Sequence, residues 1–530
     1  MGKGKDGECA NSYMMASATP EQVISGVQSL GLPIAYQVGG CVRDQILQKQ
    51  SKDIDVMTCG VTPQELLDLC NRAGKAEELT VGNQLVGVRL YSDWSGPEGI
   101  EIALARSEKS TGGGHGDFHI SPMEVPQAIA SRPIAERQWD WSEQIMLDAQ
   151  RRDFSCNAIY QNIQTGEFMD PTGGIEDLSK KILRAISNSS FEDDPLRVLR
   201  GLARVSCDGM RFDPATESMA KEWGRKIWIP GTEPEDSSVG ELSAERVAAE
   251  LTKILSGDGS SRALQNMSEW GMLRCILPEW HRCISFDQQS KYHNLTVDQH
   301  ILRALQYADE RHYSLPVKWA VLMHDIGKPD TAKKGKDGRL HYYQLKPDHP
   351  MWKSDPLRAQ GHEHLGSAQA RDSMKRLKMP ESSITQVENL VRHHMFSEER
   401  DFSSRSAQKQ ELLARKMLYK YGLEPSQMLL DVRRCDLFGK SLSRPEEGWQ
   451  KDADQLQAVL EQQKHQPHRI KDLAINGGRL IEIGISPGPQ IGSILEKLLK
   501  QVVGQPEINT PEKLESIARK QLHMVQANKE

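Results

Sequence analysis

The hydrophobic pattern of the chain changes near residue 177, and this change limits the possible fold more than any other feature. Before that point, short apolar or β-branched runs are broken by Gly, Asp and Asn, which is typical of strands and turns. After it, longer segments carry apolar residues at helical spacing. We therefore predict an α+β chain in which a mixed sheet with helices is followed by a mainly helical remainder.

The pattern places the individual elements as follows. Strands are predicted at residues 34–38, 53–59, 85–91, 99–105 and 158–161, with a helix at 62–72. Later helices are predicted at 195–205, 244–255, 297–309 and 412–421. Polar stretches rich in Gly, Pro or Ser at 231–240, 332–361 and 402–410 are predicted to be linkers or loops. A chain of 530 residues is too long for one core, so two to four domains are expected.

Composition excludes several classes of protein. No apolar run is long enough to span a bilayer, and residues 1–8 are not followed by the apolar region of a secretory signal, so we expect no membrane partner. The nine cysteines are scattered without a Cys-x-x-Cys pair, which favours a reducing cytoplasm over a disulfide framework. The net charge of −6 is not that of a strongly basic chain, so any surface for RNA must be a local patch.

Two aspartates follow a glycine turn near the start of the predicted sheet. Gly39 and Gly40 come directly after a predicted strand, where glycine lets the backbone approach a phosphate, although a plain turn is the commoner explanation. Asp53 and Asp55 are two positions apart in the next strand, so both carboxylates point to the same face. Such a pair suits a two-metal site for phosphoryl transfer, and Glu101 in another strand is a candidate third acid.

Two further segments combine acids with arginines. Arg152, Asp153 and Asn157 offer donors and acceptors for a ribose and its phosphates, or equally a structural ion pair. Asp194 precedes Pro195, which is also the arrangement of an ordinary helix start. A helical stripe begins at this acid and suits a ligand with both donors and acceptors; its members are Asp194, Arg197, Arg200 and Arg204.

The helical half contains a series of histidines and aspartates. Imidazole and carboxylate groups from several helices are the usual ligands of a catalytic divalent metal that activates water. The histidines and aspartates of this series are His300, His324, Asp325, His362, His364, His393, His394 and Asp436.

The first half of the chain closely resembles the class II tRNA nucleotidyltransferase and bacterial poly(A) polymerase family. The resemblance is carried by residues 39–44, 52–55, 103–106, 151–154, 170–178, 194–197 and 242–246. It implies that Asp53 and Asp55 hold two Mg²⁺ ions at a nucleotidyltransferase site. It also implies that Gly40 and Arg43 contact the phosphates of the incoming nucleotide.

The same resemblance implies how the nucleotide is recognised. Arg152, Asp153 and Asn157 would recognise the ribose. Asp194 and Arg197 would act as a protein template that pairs with the base edge of CTP or ATP, assisted by Arg200. Arg204 falls one residue away from the position where many members have arginine or glutamine, so it is not included in the predicted site.

The second half resembles the HD phosphohydrolase superfamily, as it is fused to many bacterial CCA-adding enzymes. The resemblance implies that a divalent transition metal or Mg²⁺ binds His300, His324, Asp325 and His362, with the register of His394 and Asp436 left open. In this family the domain either hydrolyses 2′,3′-cyclic and other phosphoesters or serves only as a structural body, and both alternatives stay open here. The implied order is an N-terminal extension (1–30), a polymerase-β-like nucleotidyltransferase head (31–178), an all-α neck (179–285), an HD-type body (286–445) and a helical tRNA-binding tail (446–530).

These resemblances predict an enzyme that adds C, C and A to tRNA 3′ ends from CTP and ATP, as a monomer or homodimer. Poly(A) polymerase and enzymes that add only the C residues or only the A share the motifs of the first half, so they remain alternatives. A second alternative is an HD phosphodiesterase with a non-catalytic RNA-binding head. The presence of Asp53, Asp55 and Arg197 speaks against it.

Overall fold

The structure is a computed structural model that describes residues 18–50, 54–110, 118–232, 241–289, 294–334, 340–341, 351–354, 360–396, 398, 400–440 and 447–527. They belong to two compact units. The first contains the residues up to 254 together with 269–276, and the second contains 255–268 together with the residues from 277 onward. The chain passes between the units inside the region predicted as the helical neck.

The first unit is built on a mixed sheet of seven strands, which are β1 (Ile34–Val38), β2 (Asp55–Cys59), β3 (Lys75–Val81), β4 (Gln84–Tyr91), β5 (Ile100–Leu104), β8 (Tyr160–Asn162) and β9 (Phe168–Met169). Their order in the sheet is β3-β4-β5-β2-β1-β8-β9. Two small ladders join β6 (Arg106–Ser110) to β7 (Phe118–Pro122) and β10 (Ile182–Leu183) to β11 (Arg211–Phe212). The prediction of a mixed sheet in this part of the chain is confirmed, whereas β3, β6 and β7 were not foreseen.

The centre of the sheet brings β1, β2 and β5 together. β2 is antiparallel to β1 and parallel to β5, and the other neighbouring strands described in this sheet pair antiparallel. In β1 and β2, residues on both faces are buried, which explains why these strands read as continuous apolar runs. The amino end of β2 and the carboxyl end of β1 therefore meet at one edge of the sheet.

Helices cover both faces of this sheet and continue beyond it. They are α1 (Pro20–Ser29), α2 (Gly40–Ile46), α3 (Pro63–Ala73), α4 (Gln127–Ala130), α5 (Ser142–Gln150), α6 (Gly174–Ser179), α7 (Ser190–Asp193), α8 (Leu196–Asp208) and α9 (Pro214–Gly224). Helix α3 begins where its sequence predicts, because Thr62 and Glu65 form a reciprocal capping box around Pro63. The chain then passes between the units through α10 (Ala244–Ser256), α11 (Ser260–Glu269) and α12 (Leu273–Ile276).

Successive side chains along the strands pack alternately into two apolar layers. One layer includes Val56 and Ile102 from the sheet and is covered by Val27 of α1. The other includes Met57 and is covered by Trp141 and neighbouring residues. Helix α1 thus packs into the core of the first unit, although residues 1–30 were predicted as an extension ahead of the head.

The stretches at 94–99 and 120–141 are held by specific contacts. Trp94 packs so closely on α1 that a Cβ at Gly26 would lie 2.0 Å from its ring. Arg137 has a side chain 4% exposed and donates to both carboxylate oxygens of Glu65 and to the carbonyls of Gly60, Ala130 and Arg132. The Trp94 contact holds the segment between β4 and β5 against α1, and the Arg137 bonds hold the segment between β7 and α5 against the start of α3.

The second unit is helical. Its helices are α13 (Pro278–His281), α14 (Val297–Glu310), α15 (Leu315–Met323), α16 (Lys328–Thr331), α17 (Met351–Ser354), α18 (His362–Arg376), α19 (Glu381–His393), α20 (Ala407–Tyr421), α21 (Leu423–Gly439), α22 (Glu447–Gln463), α23 (Gly477–Glu482), α24 (Pro489–Gly504) and α25 (Pro511–Ala527). A short ladder pairs β12 (Lys333–Lys334) with β13 (Leu340–His341). The helical character predicted after residue 177 is confirmed.

One loop prediction in this unit is wrong. Residues 402–410 were predicted as a linker, but α20 begins at Ala407 after the extended backbone of Ser406. Gln408 and Lys409 in its first turn are exposed, which explains the loop-like composition. None of the helices among the described residues is long and apolar enough to cross a membrane.

Candidate nucleotide and metal sites

A glycine turn at the end of β1 comes close to the carboxylate at the start of β2. Gly39 has φ +76° and precedes α2, a backbone conformation that glycine adopts without strain. A Cβ at Gly39 would lie 3.7 Å from Oδ2 of Asp55 and 3.5 Å from Nη1 of Arg152. The turn therefore leaves the space beside Asp55 open, as the phosphate-turn hypothesis requires.

Two of the three predicted catalytic acids lie in adjacent strands. Asp55 of β2 and Glu101 of β5 are direct partners in the parallel ladder, so their side chains point to the same face of the sheet. Glu101 is ion-paired with Arg89 of β4 and is partly exposed. Asp53 lies outside the described residues, so its distance to Asp55 stays a prediction.

A polar cavity of about 460 Å³ lies beside Asp55 in the first unit. Its lining residues are Gly40, Cys41, Arg43, Asp44, Gln50, Asp55, Asp153, Asn157, Arg200, Arg204, Glu250 and Lys253. The structure thus brings together six of the predicted site residues at one cavity: Gly40, Arg43, Asp55, Asp153, Asn157 and Arg200. Glu101, Arg152, Asp194 and Arg197 are described but do not line it.

Arg43, Asn157, Asp153 and Arg200 form a continuous network along one wall. Arg43 Nη1 donates to Oδ1 of Asn157 at 2.8 Å, and Nδ2 of Asn157 donates to Oδ1 of Asp153 at 2.9 Å. Nη2 of Arg200 lies 2.9 Å from Oδ2 of Asp153. Burial alone would raise the pKa of Asp153, but the Arg200 guanidinium and the Asn157 hydrogen bond hold that pKa below its ordinary value. Asp153 is therefore an ionised acceptor at neutral pH.

Arg152 lies behind the cavity and is held by a carboxylate that the sequence analysis missed. Asp148 in α5 is fully buried and accepts hydrogen bonds from Nε and Nη2 of Arg152, at 3.0 and 2.9 Å. It also accepts from Tyr160 at 2.9 Å and from Arg151 at 2.8 Å. Burial would raise the pKa of Asp148, but the two arginines hold it well below its usual range. Its spacing of three and four residues from Arg151 and Arg152 was the pattern that could have revealed it.

The two residues predicted to read the base are buried at the start of α8. Oδ1 of Asp194 accepts a hydrogen bond from the backbone N–H of Leu196 at 3.2 Å. Asp194 therefore stabilises the start of α8, and it is also the residue predicted to pair with the base. Arg197 Nη1 donates to the carbonyl and the hydroxyl of Ser190, both at 3.2 Å, and its Nη2 donates to the carbonyl of Arg151 at 2.7 Å.

The segment from 170 to 178 supports the turn that carries Asn157. The carboxylate of Asp170 accepts the backbone N–H groups of Gly174 and Ile175 at 2.7 and 2.8 Å. Asp177 accepts from the hydroxyl of Ser155 at 2.7 Å. A Cβ at Gly174 would lie 2.1 Å from the carbonyl oxygen of Ser155, so glycine is required for this close approach.

In the second unit, six histidine and aspartate side chains form two groups that share Asp325. In the first group, Nε2 of His300 lies 3.2 Å from Oδ2 of Asp325 and 3.3 Å from Oδ1 of Asp436, and Nε2 of His324 lies 3.3 Å from Oδ2 of Asp325. In the second, Nε2 of His362 and of His394 lie 3.5 and 3.9 Å from Oδ1 of Asp325. The four predicted ligands therefore lie together, and both open candidates join them.

The histidine orientations fit metal ligands. Nδ1 of His324 and of His394 lies 2.7 Å from the carbonyls of Val321 and Val391, so each Nδ1 carries the proton and each Nε2 presents its lone pair. Burial lowers the pKa of His394 well below its usual range, so this imidazole is neutral. Its buried Nε2 has no hydrogen-bond partner among the described residues and faces a carboxylate. A neutral lone pair facing a carboxylate is unfavourable unless a cation lies between them.

Three family models and several relatives match parts of the chain. The family model "Poly A polymerase head domain" matches residues 35–184, "Probable RNA and SrmB- binding site of polymerase A" matches 237–284, and "tRNA nucleotidyltransferase domain 2 putative" matches 362–518. The chain is 30% identical over 360 residues to the multifunctional CCA protein of Methylobacillus flagellatus, covering 68% of this chain and 73% of the relative. It is 28% identical over 429 residues to that of Azoarcus sp., covering 80% and 88%.

The fold agrees with these relatives. The CCA-adding enzyme of Bacillus stearothermophilus, solved in complex with CTP, superposes with a TM-score of 0.58 at 19% identity and covers 96% of this chain and 97% of that enzyme. At this identity the superposition shows a shared fold.

Proposed function

Since the chain belongs to the multifunctional CCA protein family and is a CCA-adding nucleotidyltransferase, we propose that it adds C, C and A to tRNA 3′ ends from CTP and ATP at the cavity of the first unit. The observation that carries this proposal is the meeting of Asp55, the Gly39 turn and the Arg43–Asn157–Asp153 network at one cavity. The volume suits one nucleotide, since ligand sites are typically about 300 to 1,000 Å³.

The charge of the cavity supports a metal requirement. Its wall carries four basic side chains (Arg43, Arg200, Arg204 and Lys253) and four acidic ones (Asp44, Asp55, Asp153 and Glu250). A triphosphate therefore needs added cations, and carboxylate oxygens are the ligands that Mg²⁺ prefers. Asp53 and Asp55 would hold Mg²⁺, with Glu101 beside them, and bound Mg²⁺ supplies charge neutralisation for the triphosphate and activation of the RNA 3′-hydroxyl.

The remaining roles follow from position around the cavity. Gly40 and Arg43 contact the phosphates, since Arg43 is held at the wall by Asn157 and Asp44. Asp153 and Asn157 bind the ribose hydroxyls, for which an ionised carboxylate and an amide are suitable partners. Arg152, which lies beside the Gly39 turn, supports them because its Nη1 lies 3.3 Å from the carbonyl oxygen of Asn157.

Base reading is assigned to α8. Asp194 accepts and Arg197 donates, which is the complementary pattern needed to recognise the edges of cytosine and adenine. Both side chains are at most 9% exposed, so base selection takes place in a desolvated setting where unmatched hydrogen bonds are strongly unfavourable. Arg200 assists through its ion pair with Asp153.

Nucleotide incorporation distinguishes this proposal from its alternatives. We would incubate the protein with tRNA lacking its 3′ CCA and with labelled CTP and ATP, singly and together. Two C residues followed by one A support the proposal, whereas an open-ended A tract indicates a poly(A) polymerase. Products that stop after CC, or that require a CC end, indicate a partial enzyme.

A second activity is favoured by the histidine–aspartate cluster of the second unit. We propose that His300, His324, Asp325 and His362, with His394 and Asp436, hold a divalent metal for phosphoester hydrolysis, including that of 2′,3′-cyclic phosphates. A bound metal there supplies an activated water. Metal content measured by mass spectrometry, together with hydrolysis of a 2′,3′-cyclic nucleotide, tests it. Purified protein that takes up no divalent metal contradicts it.

The location and assembly of the protein remain predictions. We expect it to act in the cytoplasm on tRNA, as a monomer or homodimer. Sedimentation with and without tRNA measures the assembly directly.

A further inference from the structure

The last residue of α8, Asp208, is a buried carboxylate to which the proposed function assigns no role. Its side chain is 2% exposed. A carboxylate at a helix C-terminus faces the negative end of the helix dipole, and its burial adds a desolvation penalty. Asp208 is therefore stable in this position only with cationic partners.

Three basic side chains supply these partners. Lys49 Nζ lies 2.5 Å from Oδ1 of Asp208, and Arg204 Nη1 donates to Oδ2 at 3.0 Å. Nε of Arg43 lies 4.0 Å from the same Oδ2. Lys49 also donates to the carbonyl of Cys207 at 2.9 Å. Because Arg43 lies in α2 and Lys49 follows it, the cluster joins the end of α8 to the helix that begins at the phosphate turn.

Arg204 reaches the same cavity as the predicted nucleotide ligands. Arg200, Arg204 and Asp208 are spaced by four residues, so they share one face of α8. Arg200 is held by Asp153 and Arg204 by Asp208, so each cavity arginine of this helix has its own buried acid. A guanidinium oriented in advance by a carboxylate loses less freedom when it binds an anion.

The geometry points to a triphosphate contact by Arg204, with Asp208 as the positioning residue that holds Arg204 and Arg43 toward the cavity. This inference rests on the proposed nucleotidyltransferase function. CTP and ATP share the triphosphate, so the pair acts on nucleotide affinity and leaves the choice of base to other residues. Arg204 thus belongs to the site although its sequence register excluded it.

Steady-state kinetics test the inference. Arg204→Ala and Asp208→Asn are expected to raise KM for CTP and for ATP by a similar factor of about ten, with kcat changed much less. Arg204→Lys is expected to recover part of the affinity, because it keeps the charge. Glu217→Gln is the matched control, since Glu217 pairs at 2.6 Å with Lys221 on the exposed side of α9, and both KM values should stay unchanged.

Direct binding separates a phosphate contact from a structural defect. Calorimetry with inorganic tripolyphosphate should show about tenfold weaker binding to both variants, whereas binding of cytidine should be unchanged. Unchanged tripolyphosphate binding, a loss confined to kcat, or unequal effects on CTP and ATP would overturn the inference. If Asp208→Asn fails to fold, Arg204→Ala decides, because it keeps the Asp208–Lys49 pair.

The binding experiment uses neither tRNA nor turnover. The proposed function and the inference about Arg204 can therefore be contradicted independently. A wild-type protein that binds tripolyphosphate through Arg204 but adds no nucleotide contradicts the proposed function alone. A protein that completes CCA ends but binds tripolyphosphate equally well without Arg204 contradicts this inference alone.

Discussion

Arg246 donates a hydrogen bond from Nη2 to Oδ2 of Asp194 at 2.9 Å, across 52 residues of sequence. The bond joins α10 to the start of α8 within the first unit. Asp194 is 6% exposed and its other oxygen accepts from the N–H of Leu196, so the orientation of the carboxylate is set from two sides. Arg246 therefore orients the acid proposed to read the base.

Replacing Arg246 with alanine is expected to relax base selection. Without this bond the Asp194 carboxylate is held less firmly, so kcat/KM for CTP and ATP should fall about tenfold. Incorporation from UTP and GTP should rise relative to incorporation from CTP and ATP. Competition among the four labelled nucleotides measures both, with Lys221→Ala on the exposed side of α9 as the control. Unaltered selectivity in the Arg246→Ala enzyme would show that Asp194 does not read the base.

The Arg137–Glu65 pair predicts a pH dependence of stability. The hydrogen bonds from Arg137 lower the pKa of Glu65 from 4.5 to about 2. Because the folded-state pKa lies below the unfolded one, the stabilisation is complete above about pH 4.5 and is lost as the pH falls toward 2. At pH 7, Glu65→Gln should lower the melting temperature by roughly 2–4 °C, as about 1 kcal/mol would.

The same variant provides its own internal check. Glutamine keeps an oxygen for the capping box with Thr62, so the helix start is retained while the charge and one of the two acceptors for Arg137 are lost. The difference in melting temperature between wild type and Glu65→Gln should shrink below pH 4.5. A difference that stays constant down to pH 3 would show that the charge of Glu65 is not its source.

Gly174→Ala should displace the turn that carries Asn157, a residue that lines the nucleotide cavity. The added Cβ would meet the carbonyl of Ser155 at 2.1 Å, and Ser155 begins the turn that contains Asn157. We expect a loss of about 2 kcal/mol of stability and weaker binding of CTP. Thermal unfolding and calorimetry measure the two effects. Gly492→Ala in α24 is the control, because nothing lies within 4 Å of its Cβ.

Most elements that position the site could be predicted from local sequence pattern. The alternating or continuous apolar runs located β1, β2 and β5, and helical spacing after the Thr62–Pro63 start located α3. These features depend on residues close in sequence, where the period of a strand or helix determines which side chains share a face.

The partners that hold the site in place could not be predicted in the same way. Arg246 meets Asp194 across 52 residues and Arg137 meets Glu65 across 72, and no periodicity connects either pair. Residues 1–30 were predicted as an extension, and the sequence of α1 alone does not show that its Val27 packs into the core of the first unit. Such contacts depend on tertiary packing, which one sequence does not encode locally.

Replacing His394 with alanine should lower the proposed hydrolase activity of the second unit and leave nucleotide addition unchanged. His394→Ala removes a buried imidazole whose Nε2 faces Asp325, so the purified protein should carry less divalent metal than the wild type. Hydrolysis of 2′,3′-cyclic phosphates should fall at least about tenfold, while nucleotide addition to tRNA is retained. Elemental analysis measures the metal directly. Wild-type metal content in the variant would show that His394 is not a ligand.

The central claim is that the cavity beside Asp55 is where nucleotides are added to tRNA. The most direct measurement is incorporation of labelled CMP and AMP into tRNA lacking CCA by wild type, Asp55→Asn and Asp325→Asn in parallel, with exposed Asp68→Asn as the control. We expect Asp55→Asn to lower incorporation by at least about a thousandfold, while Asp325→Asn and Asp68→Asn complete CCA ends as the wild type does. Wild-type incorporation by Asp55→Asn, or its loss in Asp325→Asn alone, would contradict the account.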